Sequence, residues 1–199
     1  LVGLTGDDIV LQAAPIAHQA GFLHGVMMPI MAGATVVLQD VWDADEAARL
    51  IEAHGATYAM GATPFLADLA DCGGAKTRDL SSFHTFVTAG APIPRALVPR
   101  ARDRLGARII ASWGMTEFGT GTATQPDDPP EKISGTDGRP VPGIEMRIVD
   151  GNGIPLPAGE EGELQARGMS KFVGYVKRPD LYGDDPHGWF STGDLARMD

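Results

Sequence analysis

Ala111-Ser112-Trp113-Gly114-Met115-Thr116-Glu117-Phe118-Gly119 is the stretch from which the rest of this chain is interpreted. The apolar run at 108–111 that leads into it predicts a buried strand. After the strand come an aromatic ring that can stack on a base, a glycine that lets the backbone approach a phosphate, a hydroxyl, and a carboxylate that can hold Mg²⁺. The stretch therefore predicts a nucleotide phosphate site, and a strand ending in a glycine-rich turn with a core tryptophan explains it equally well.

Strand patterns and helix patterns alternate upstream of this stretch. Connections of helical length between successive strands predict an α/β fold with a largely parallel sheet and flanking helices. Ligands bind beyond the carboxyl ends of the strands in such sheets, so we expect Gly90-Ala91-Pro92 and Trp113-Gly114 to line one site. The predicted strands lie at 8–14, 34–38, 56–60, 84–88 and 107–112.

Local signals predict how two helices begin and how a third is packed. Asp43 and Glu46 resemble a capping box. Thr63 is the expected N-cap of the next helix, with Pro64 at the first helical position. The segment 20–31 is apolar on nearly all faces and predicts a buried helix.

The pattern changes after Phe118. The segment 119–143 is rich in glycine, threonine, proline and aspartate, and it predicts a long, partly ordered loop. From Ile144 onward, short strands separated by turns predict a small antiparallel β subdomain. We therefore divide the chain into an α/β part at 1–140 and a β part at 141–199.

The composition is that of a globular protein and excludes some classes of function. A net charge of −10 over 199 residues argues against nucleic-acid binding, which requires basic patches. The single cysteine, Cys72, excludes a disulfide framework within the chain and favours a cytoplasmic protein. The apolar run at 20–38 contains a histidine, a proline and three glycines, so no membrane span is expected. The sequence contains no Walker loop, GxGxxG fingerprint or zinc-type Cys/His cluster.

Further short motifs accompany the opening stretch in a definite order. They are Pro15-Ile16-Ala17-His18-Gln19-Ala20-Gly21, Gly90-Ala91-Pro92, Gly138-Arg139-Pro140-Val141-Pro142-Gly143, Gly162-Glu163-Leu164-Gln165-Ala166-Arg167-Gly168, Phe172-Val173-Gly174-Tyr175 and Ser191-Thr192-Gly193-Asp194-Leu195. This series resembles the AMP-forming acyl-CoA synthetases of the adenylate-forming superfamily, which also includes luciferases and peptide-synthetase adenylation domains. The resemblance covers essentially the whole chain. It implies part of the larger N-terminal, AMP-binding domain of such an enzyme, with 141–199 a partial β-barrel subdomain.

The resemblance implies a role for several residues at the nucleotide. Trp113 replaces the usual tyrosine of the motif, keeps an aromatic ring for the nucleotide pocket and loses the hydroxyl. Thr116 would bond the α-phosphate and Glu117 would help to hold Mg²⁺, which makes these two the implied catalytic residues. Asp194 would hold the ribose hydroxyls, although a plain turn also explains it. The other implied nucleotide-binding residues are Gly90, Ala91, Pro92, Gly114 and Met115.

Two runs are most similar to one branch of this family, which activates short-chain fatty acids or cyclohexanecarboxylate. The runs are Gly21-Phe22-Leu23-His24-Gly25 and Gly61-Ala62-Thr63-Pro64-Phe65. The resemblance therefore implies a short- or medium-chain fatty acid or an alicyclic acid as substrate. It implies that His18, Phe22 and Gly114 border the acyl pocket. A histidine that caps or packs against the next helix explains His18 without a substrate.

The implied reaction has two halves. A carboxylate attacks the α-phosphate of ATP to give acyl-AMP and pyrophosphate, and the thiol of CoA then displaces AMP. ATP, Mg²⁺ and CoA are thus the implied cofactors and co-substrates of a ligase of fatty acid metabolism. The family's phosphate loop with its lysine and the C-terminal domain with the catalytic lysine are missing from this sequence. We therefore expect a middle segment with little or no activity alone.

Two other functions fit the same sequence. An adenylation domain of this superfamily would load a carrier protein in place of CoA. A non-catalytic nucleotide-binding module would keep the pocket without the reaction, although Thr116, Glu117 and Asp194 are all present. The oligomeric state stays open at this point.

Overall fold

Helical crossovers bring successive strands of the first part of the chain into one sheet. The computed structural model describes residues 2–125 and 127–199, so Leu1 and Pro126 lie outside the described residues. The strands of the first sheet are β1 (Ile9–Gln12), β2 (Thr35–Leu38), β3 (Tyr58–Ala62), β4 (Thr85–Ala89), β5 (Arg108–Met115), β6 (Gly119–Ala123) and β7 (Arg139–Pro140). They lie in the order β2-β1-β3-β4-β5-β6-β7. The α/β class with a largely parallel sheet is therefore confirmed.

Parallel pairing holds the ends of the central strands in register. β1 pairs with β2 and β3, and β4 lies between β3 and β5, all in parallel. In this register Gly61 of β3 pairs with Thr88 of β4, which pairs with Ala111 of β5. The carboxyl ends of β3, β4 and β5 consequently lie side by side at one edge of the sheet.

Helices pack on this sheet around one apolar core. They are α1 (Gln19–Phe22), α2 (Met28–Ala32), α3 (Ala44–His54), α4 (Thr63–Asp71), α5 (Gly74–Thr77), α6 (Leu97–Leu105) and α7 (Pro130–Gly135). Ile51 of α3, Leu66 and Leu69 of α4, Phe86 of β4 and Ala101 of α6 are almost completely buried in this core. Each large apolar side chain gains about 1.5–3 kcal/mol on burial. Packing of the helices therefore stabilises the sheet on which the strands meet.

The helix starts follow the sequence signals only in part. The carboxylate of Asp43 accepts a hydrogen bond of 2.7 Å from the backbone N–H of Glu46, as an N-cap should. Glu46 pairs with Arg49, so only half of the predicted capping box forms. Thr63 is not an N-cap: it is the first residue of α4, and Ala62 precedes it as the cap.

The prediction of a long loop at 119–143 is wrong. This segment contains β6, α7 and β7, and β6 follows β5 after a short turn. Its Gly-Thr sequence has no apolar periodicity, but the neighbouring strand supplies hydrogen-bond partners. The backbone N–H of Thr124 donates to the carbonyl of Ala111 at 2.9 Å. Tertiary pairing thus makes a strand where local preference predicts none.

The apolar segment near residue 20 is helical, but it is not buried on all faces as predicted. α1, a π-helical turn at Leu23–Met27, and α2 follow one another without a break. His24 and Gly25 are buried, whereas Ile30 and Met31 are 74% and 80% exposed. Only one face of the helix therefore packs on the sheet within this chain. Among the described residues, no helix has the length and apolar character needed to cross a membrane.

A second sheet follows, and it confirms the predicted antiparallel β region. Its strands are β8 (Ile144–Val149), β9 (Glu161–Gly168) and β10 (Phe190–Arg197), in the order β10-β9-β8 with antiparallel pairing. A short 3₁₀ turn lies at Pro179–Leu181. The structure divides into two units, of which the second comprises Glu117–Gly121 and Pro140–Asp199. The first comprises Thr122–Arg139 and the residues up to Thr116.

Aromatic rings pack beside the sheet of the second unit against the buried rings of Phe118 and Phe190. The ring of Phe172 meets those of Tyr175, Tyr182 and Phe190 edge to face, with centroids 4.7, 5.2 and 5.8 Å away. Phe118 meets Phe190 in the same manner at 5.7 Å. Edge-to-face contact is a favoured geometry for aromatic pairs, so the irregular segment around Phe172 is anchored to the sheet by its rings.

A buried ionisable pair lies in the first unit, between the π-helical turn and β3. Nδ1 of His24 is 2.7 Å from the hydroxyl oxygen of Tyr58. Burial lowers the pKa of His24 from 6.5 to about 4. Burial also raises the pKa of Tyr58 above its usual value. Both side chains are therefore neutral at pH 7.

We expect His24 to make the fold sensitive to acid. Its folded pKa lies below the unfolded value, so its contribution to stability is complete above about pH 6.5 and is lost as the pH falls toward 4. Between pH 7 and pH 5 the free energy of unfolding should fall by about 2 kcal/mol more in the wild type than in His24→Gln. Urea denaturation at each pH measures this difference. The same pH dependence in both proteins would contradict a neutral buried histidine.

Candidate functional site

The candidate site lies at the carboxyl edge of the parallel sheet. Thr88 of β4 pairs with Ala111 of β5, and the turn at Gly90 and the last residues of β5 each follow this pair. The turn after β4 and the end of β5, which the sequence singles out, therefore both lie at this edge of the sheet. Such an edge is the usual ligand position in open α/β sheets.

The turn after β4 is fastened by the next layer of structure. Gly90 has a φ of 81°, a backbone conformation that residues other than glycine rarely adopt. The hydroxyl of Thr63, itself buried, donates to the carbonyl oxygen of Ala91 at 3.1 Å. The start of α4 thus holds the turn that carries Ala91 and Pro92. The sequence analysis missed this contact because it assigned the same hydroxyl to a helix cap.

A cavity of about 280 Å³ opens beside this turn. Its walls are mainly apolar and come from the start of α4, the turn and α6. Arg100 contributes a cationic group, which lies 3.4 Å from the carboxylate of Asp71. The residues that line the cavity are Thr63, Pro64, Ala67, Ala91, Pro92, Pro94, Ala96, Leu97 and Arg100. Ala91 and Pro92, which the sequence analysis named, therefore border a space that can receive part of a small ligand.

β5 continues further into the opening stretch than predicted and ends at Met115. Alternation along the strand gives Trp113 the same face as Ile109. The backbone N–H of Trp113 donates to the hydroxyl of Thr122 at 3.3 Å. Thr116 is exposed in the turn that follows the strand. The first unit thus presents a half-buried ring on a strand and an exposed hydroxyl at the end of that strand.

Glu117 belongs to the second unit, where a strap of irregular chain holds it. Its Oε1 accepts a hydrogen bond of 2.6 Å from the hydroxyl of Tyr175. The Glu117 carbonyl accepts from the backbone N–H of Phe172 at 2.7 Å. The bond to Glu117 raises the pKa of Tyr175, because it favours the protonated phenol. The motif at 172–175 gives no sign in the sequence that Tyr175 is a site residue, because its partner lies 58 residues away.

Asp194 also belongs to the second unit, and it lies on a β-bulge rather than in a plain turn. The pairing of β10 with β9 shifts between Ser191 and Leu195, and Gly193 has a φ of 78°. Such bulges redirect side chains and are common beside functional sites. The hydroxyl of Thr192 donates to the carbonyl of Leu164 at 2.7 Å, which fixes the base of the bulge. Asp194 is exposed on it.

His18 and Phe22 lie past the carboxyl end of β1, along the same sheet edge in the first unit. Nδ1 of His18 accepts a hydrogen bond of 3.1 Å from the backbone N–H of Ala20. His18 is therefore the N-cap of α1, which is the substrate-free explanation given above. The ring of Phe22 is about half exposed.

Glu117 can contribute one ligand to a magnesium ion. Tyr175 occupies one of its two carboxylate oxygens, and carboxylate oxygen is the donor that Mg²⁺ prefers. In the parts of the chain that the structure describes, no three His, Cys, Asp or Glu residues come together as a metal cluster. Mg²⁺ commonly takes one or two carboxylates and completes its shell with substrate phosphates and water, so the donor set fits a nucleotide-bound ion.

Comparisons relate the chain to known proteins. A family model described as AMP-binding enzyme matches residues 2–176. The chain is 36% identical over 200 residues to a medium-chain fatty-acid–CoA ligase of Escherichia coli (strain K12), covering 100% of this chain and 35% of that protein. It is 39% identical over 198 residues to triostin synthetase I of Streptomyces triostinicus, covering 96% of this chain and 37% of that protein.

Among solved structures, a crystal structure of ATP-bound MatB from Rhodopseudomonas palustris matches with a TM-score of 0.88 and 26% identity. The match covers 98% of this chain and 39% of that chain. The chain therefore spans 35–39% of the length of these three relatives.

We expect that glycine is needed at position 90 because of its positive φ and not because a side chain there would clash with its neighbours. A methyl group added at Gly90 would meet open space, so Gly90→Ala should lose only the cost of a left-handed alanine, about 1–2 kcal/mol. Gly135→Ala is the matched control, because its surroundings are equally open and its φ is not positive. Urea denaturation measures both, and a loss no larger in Gly90→Ala than in the control would contradict the strained turn.

Proposed function

Because this chain belongs to the AMP-binding enzyme family, we propose that it forms part of an ATP-dependent acid–thiol ligase that activates a carboxylic acid as its acyl-AMP. One observation carries the proposal. The turn at 90–92 and the end of β5 with Trp113 lie at one carboxyl edge of a parallel sheet. An exposed hydroxyl, that of Thr116, follows directly, which supports a nucleotide with its phosphates at this edge.

The nucleotide would be held by groups of different chemistry. Trp113 offers an aromatic face for a base, which is worth about 1–3 kcal/mol per stacked base in single-strand binding. Gly90, Ala91 and Pro92 offer backbone beside it, and Gly114 and Met115 extend the same surface. Thr116 offers a hydroxyl to the α-phosphate, and the two acceptor oxygens of Asp194 suit a pair of ribose hydroxyls.

A magnesium ion is part of the proposal because the chain cannot neutralise phosphates well by itself. The net charge of the sequence is −10. Bound to the phosphates, Mg²⁺ would supply the positive charge that offsets developing negative charge on the phosphoryl oxygens. Glu117 would hold the ion from the protein side, and Thr116 would orient the α-phosphate next to it. The chain's contribution is then to position groups rather than to supply a nucleophile.

The acid that we propose is a short- or medium-chain fatty acid or an alicyclic acid. The relative named a medium-chain fatty-acid–CoA ligase supports an apolar acyl group. His18, Phe22 and Gly114 are the proposed residues at the acyl group, since His18 and Phe22 follow β1 along the same sheet edge.

CoA is the proposed thiol, and a carrier protein is the second candidate. The second candidate has its own support, because the relative with 39% identity is named a synthetase and not a CoA ligase. The ligase of which this chain forms part is assayed with its acid, ATP and either CoA or a phosphopantetheine carrier as thiol, which distinguishes the two candidates. Thioester formed on CoA alone supports the first, and thioester formed on the carrier alone replaces it with the second.

We expect this chain to bind AMP in the presence of Mg²⁺ through the ring of Trp113. Calorimetric titration should show AMP affinity falling about tenfold in Trp113→Ala, because a stacked ring contributes on the order of 1–3 kcal/mol. Trp113→Phe keeps a ring and should retain most of the affinity. Binding that is unchanged in Trp113→Ala would contradict the assignment of the base pocket to this ring.

We also expect the chain alone to show little acid-dependent exchange of pyrophosphate into ATP. The chain spans only 35% of the fatty-acid ligase that it matches, and phosphoryl transfer depends on positioning and on electrostatic stabilisation by several groups at once. Radiolabelled pyrophosphate exchange, with and without a medium-chain acid, measures this. Exchange at a rate typical of complete ligases of this family would refute the expectation.

A further inference from the structure

Three hydrogen bonds join residues 170–175 to the turn at 117–118, all within the second unit. The hydroxyl of Tyr175 donates to Oε1 of Glu117 at 2.6 Å. The backbone N–H of Phe172 donates to the Glu117 carbonyl at 2.7 Å, and the hydroxyl of Ser170 donates to the Phe118 carbonyl at 2.8 Å. The first of these bonds is the only one of the three that reaches a charged side chain.

The ring of Tyr175, which is 36% exposed, packs against one neighbouring ring of the aromatic cluster. The ring stands edge to face on Phe172 at 4.7 Å, and Phe172 in turn contacts Tyr182 and Phe190. The backbone of Phe172 is tied to the carbonyl of Glu117. The Tyr175 ring and the backbone of Glu117 are therefore both connected to Phe172, the first by a ring contact and the second by a hydrogen bond.

We propose that Tyr175 is a positioning residue for Glu117, which fixes one carboxylate oxygen so that the other faces a divalent cation on a bound nucleotide. The inference rests on the proposed function, in which Glu117 helps to hold Mg²⁺. A glutamate has three side-chain torsions, and ordering a long side chain at the moment of metal binding costs entropy. A phenol that already holds Oε1 removes part of that cost.

The hydrogen bond from Tyr175 to Glu117 is of the kind that orients a metal-ligating carboxylate. Ligating carboxylates are commonly hydrogen-bonded by a second group, and loss of that group typically lowers metal affinity by about 10–100-fold. A donor to an ionised acceptor forms one of the stronger classes of hydrogen bond. Because the phenol touches the carboxylate and not the nucleotide, its effect should appear in metal affinity and not in nucleotide affinity.

The test compares Tyr175→Phe with Tyr182→Phe, a matched control. Each variant loses one phenolic hydroxyl from the same ring cluster and keeps its ring, but only Tyr175 bonds Glu117 among the described contacts. Mn²⁺ is titrated into each protein saturated with ATP, and the electron paramagnetic resonance signal of protein-bound Mn²⁺ is followed. ATP affinity in EDTA is measured by calorimetry alongside.

We expect Tyr175→Phe to raise the Mn²⁺ concentration for half-saturation about tenfold. Tyr182→Phe should stay near the wild type, and ATP affinity in EDTA should change less than twofold in both. Glu117→Gln should also weaken Mn²⁺ binding, and adding Tyr175→Phe to it should cause little further loss, because the two side chains act as one unit.

Other results overturn the inference in distinguishable ways. Equal Mn²⁺ binding in the wild type and Tyr175→Phe, or tighter binding in the variant, would refute the positioning role and leave the proposed function intact. A similar fall in EDTA-measured ATP affinity would show that Tyr175 only supports the fold. Absence of protein-bound Mn²⁺ in the wild type would remove Glu117 as a metal ligand, and with it both this inference and the metal part of the proposed function.

Discussion

The parallel pairing of β3, β4 and β5 is the constraint on which the candidate site of the first unit depends. Parallel strands joined by helical crossovers must all end at the same edge. The segments that follow β3, β4 and β5 therefore lie at one edge even where they do not contact one another. Apolar residues of α4 and α6 pack with those of the sheet in one core. The bond from Thr63 to Ala91 then ties the start of one crossover to the turn after the next strand.

The second unit holds its functional candidates by different means. Glu117 is fastened by a strap of irregular chain with aromatic anchors, and Asp194 is carried by a bulge in an antiparallel strand. Glu117 lies in a turn and Asp194 on a bulge, two places where a side chain would ordinarily sample several rotamers. Hydrogen bonds from the Tyr175 and Thr192 hydroxyls, to the Glu117 carboxylate and the Leu164 carbonyl respectively, provide the local order that regular structure does not.

One motif that resembles a substrate-specific branch of the family has a structural explanation of its own. The run Gly21-Phe22-Leu23-His24-Gly25 includes most of a π-helical turn, and its histidine is buried against Tyr58 at the opposite end of β3 from the candidate site. The His24 ring is neutral because burial lowers its pKa to about 4. Packing of the helix on the sheet therefore explains the histidine of this run, whereas the ring of Phe22 is half exposed.

The sequence by itself determined the class of fold, the parallel and antiparallel halves and the residues that meet at the sheet edge. It could do so because apolar periodicity and strand–helix alternation are local signals, and because parallel strands share an edge whatever their side chains. Only the tertiary structure decided that Gly119–Ala123 is a strand, since its partners come from β5. It also decided that Thr63 fastens a turn and that one face of the early apolar helix is exposed. The bond from Tyr175 to Glu117 was beyond local reasoning for the same reason: 58 residues separate the partners, and only folding brings them together.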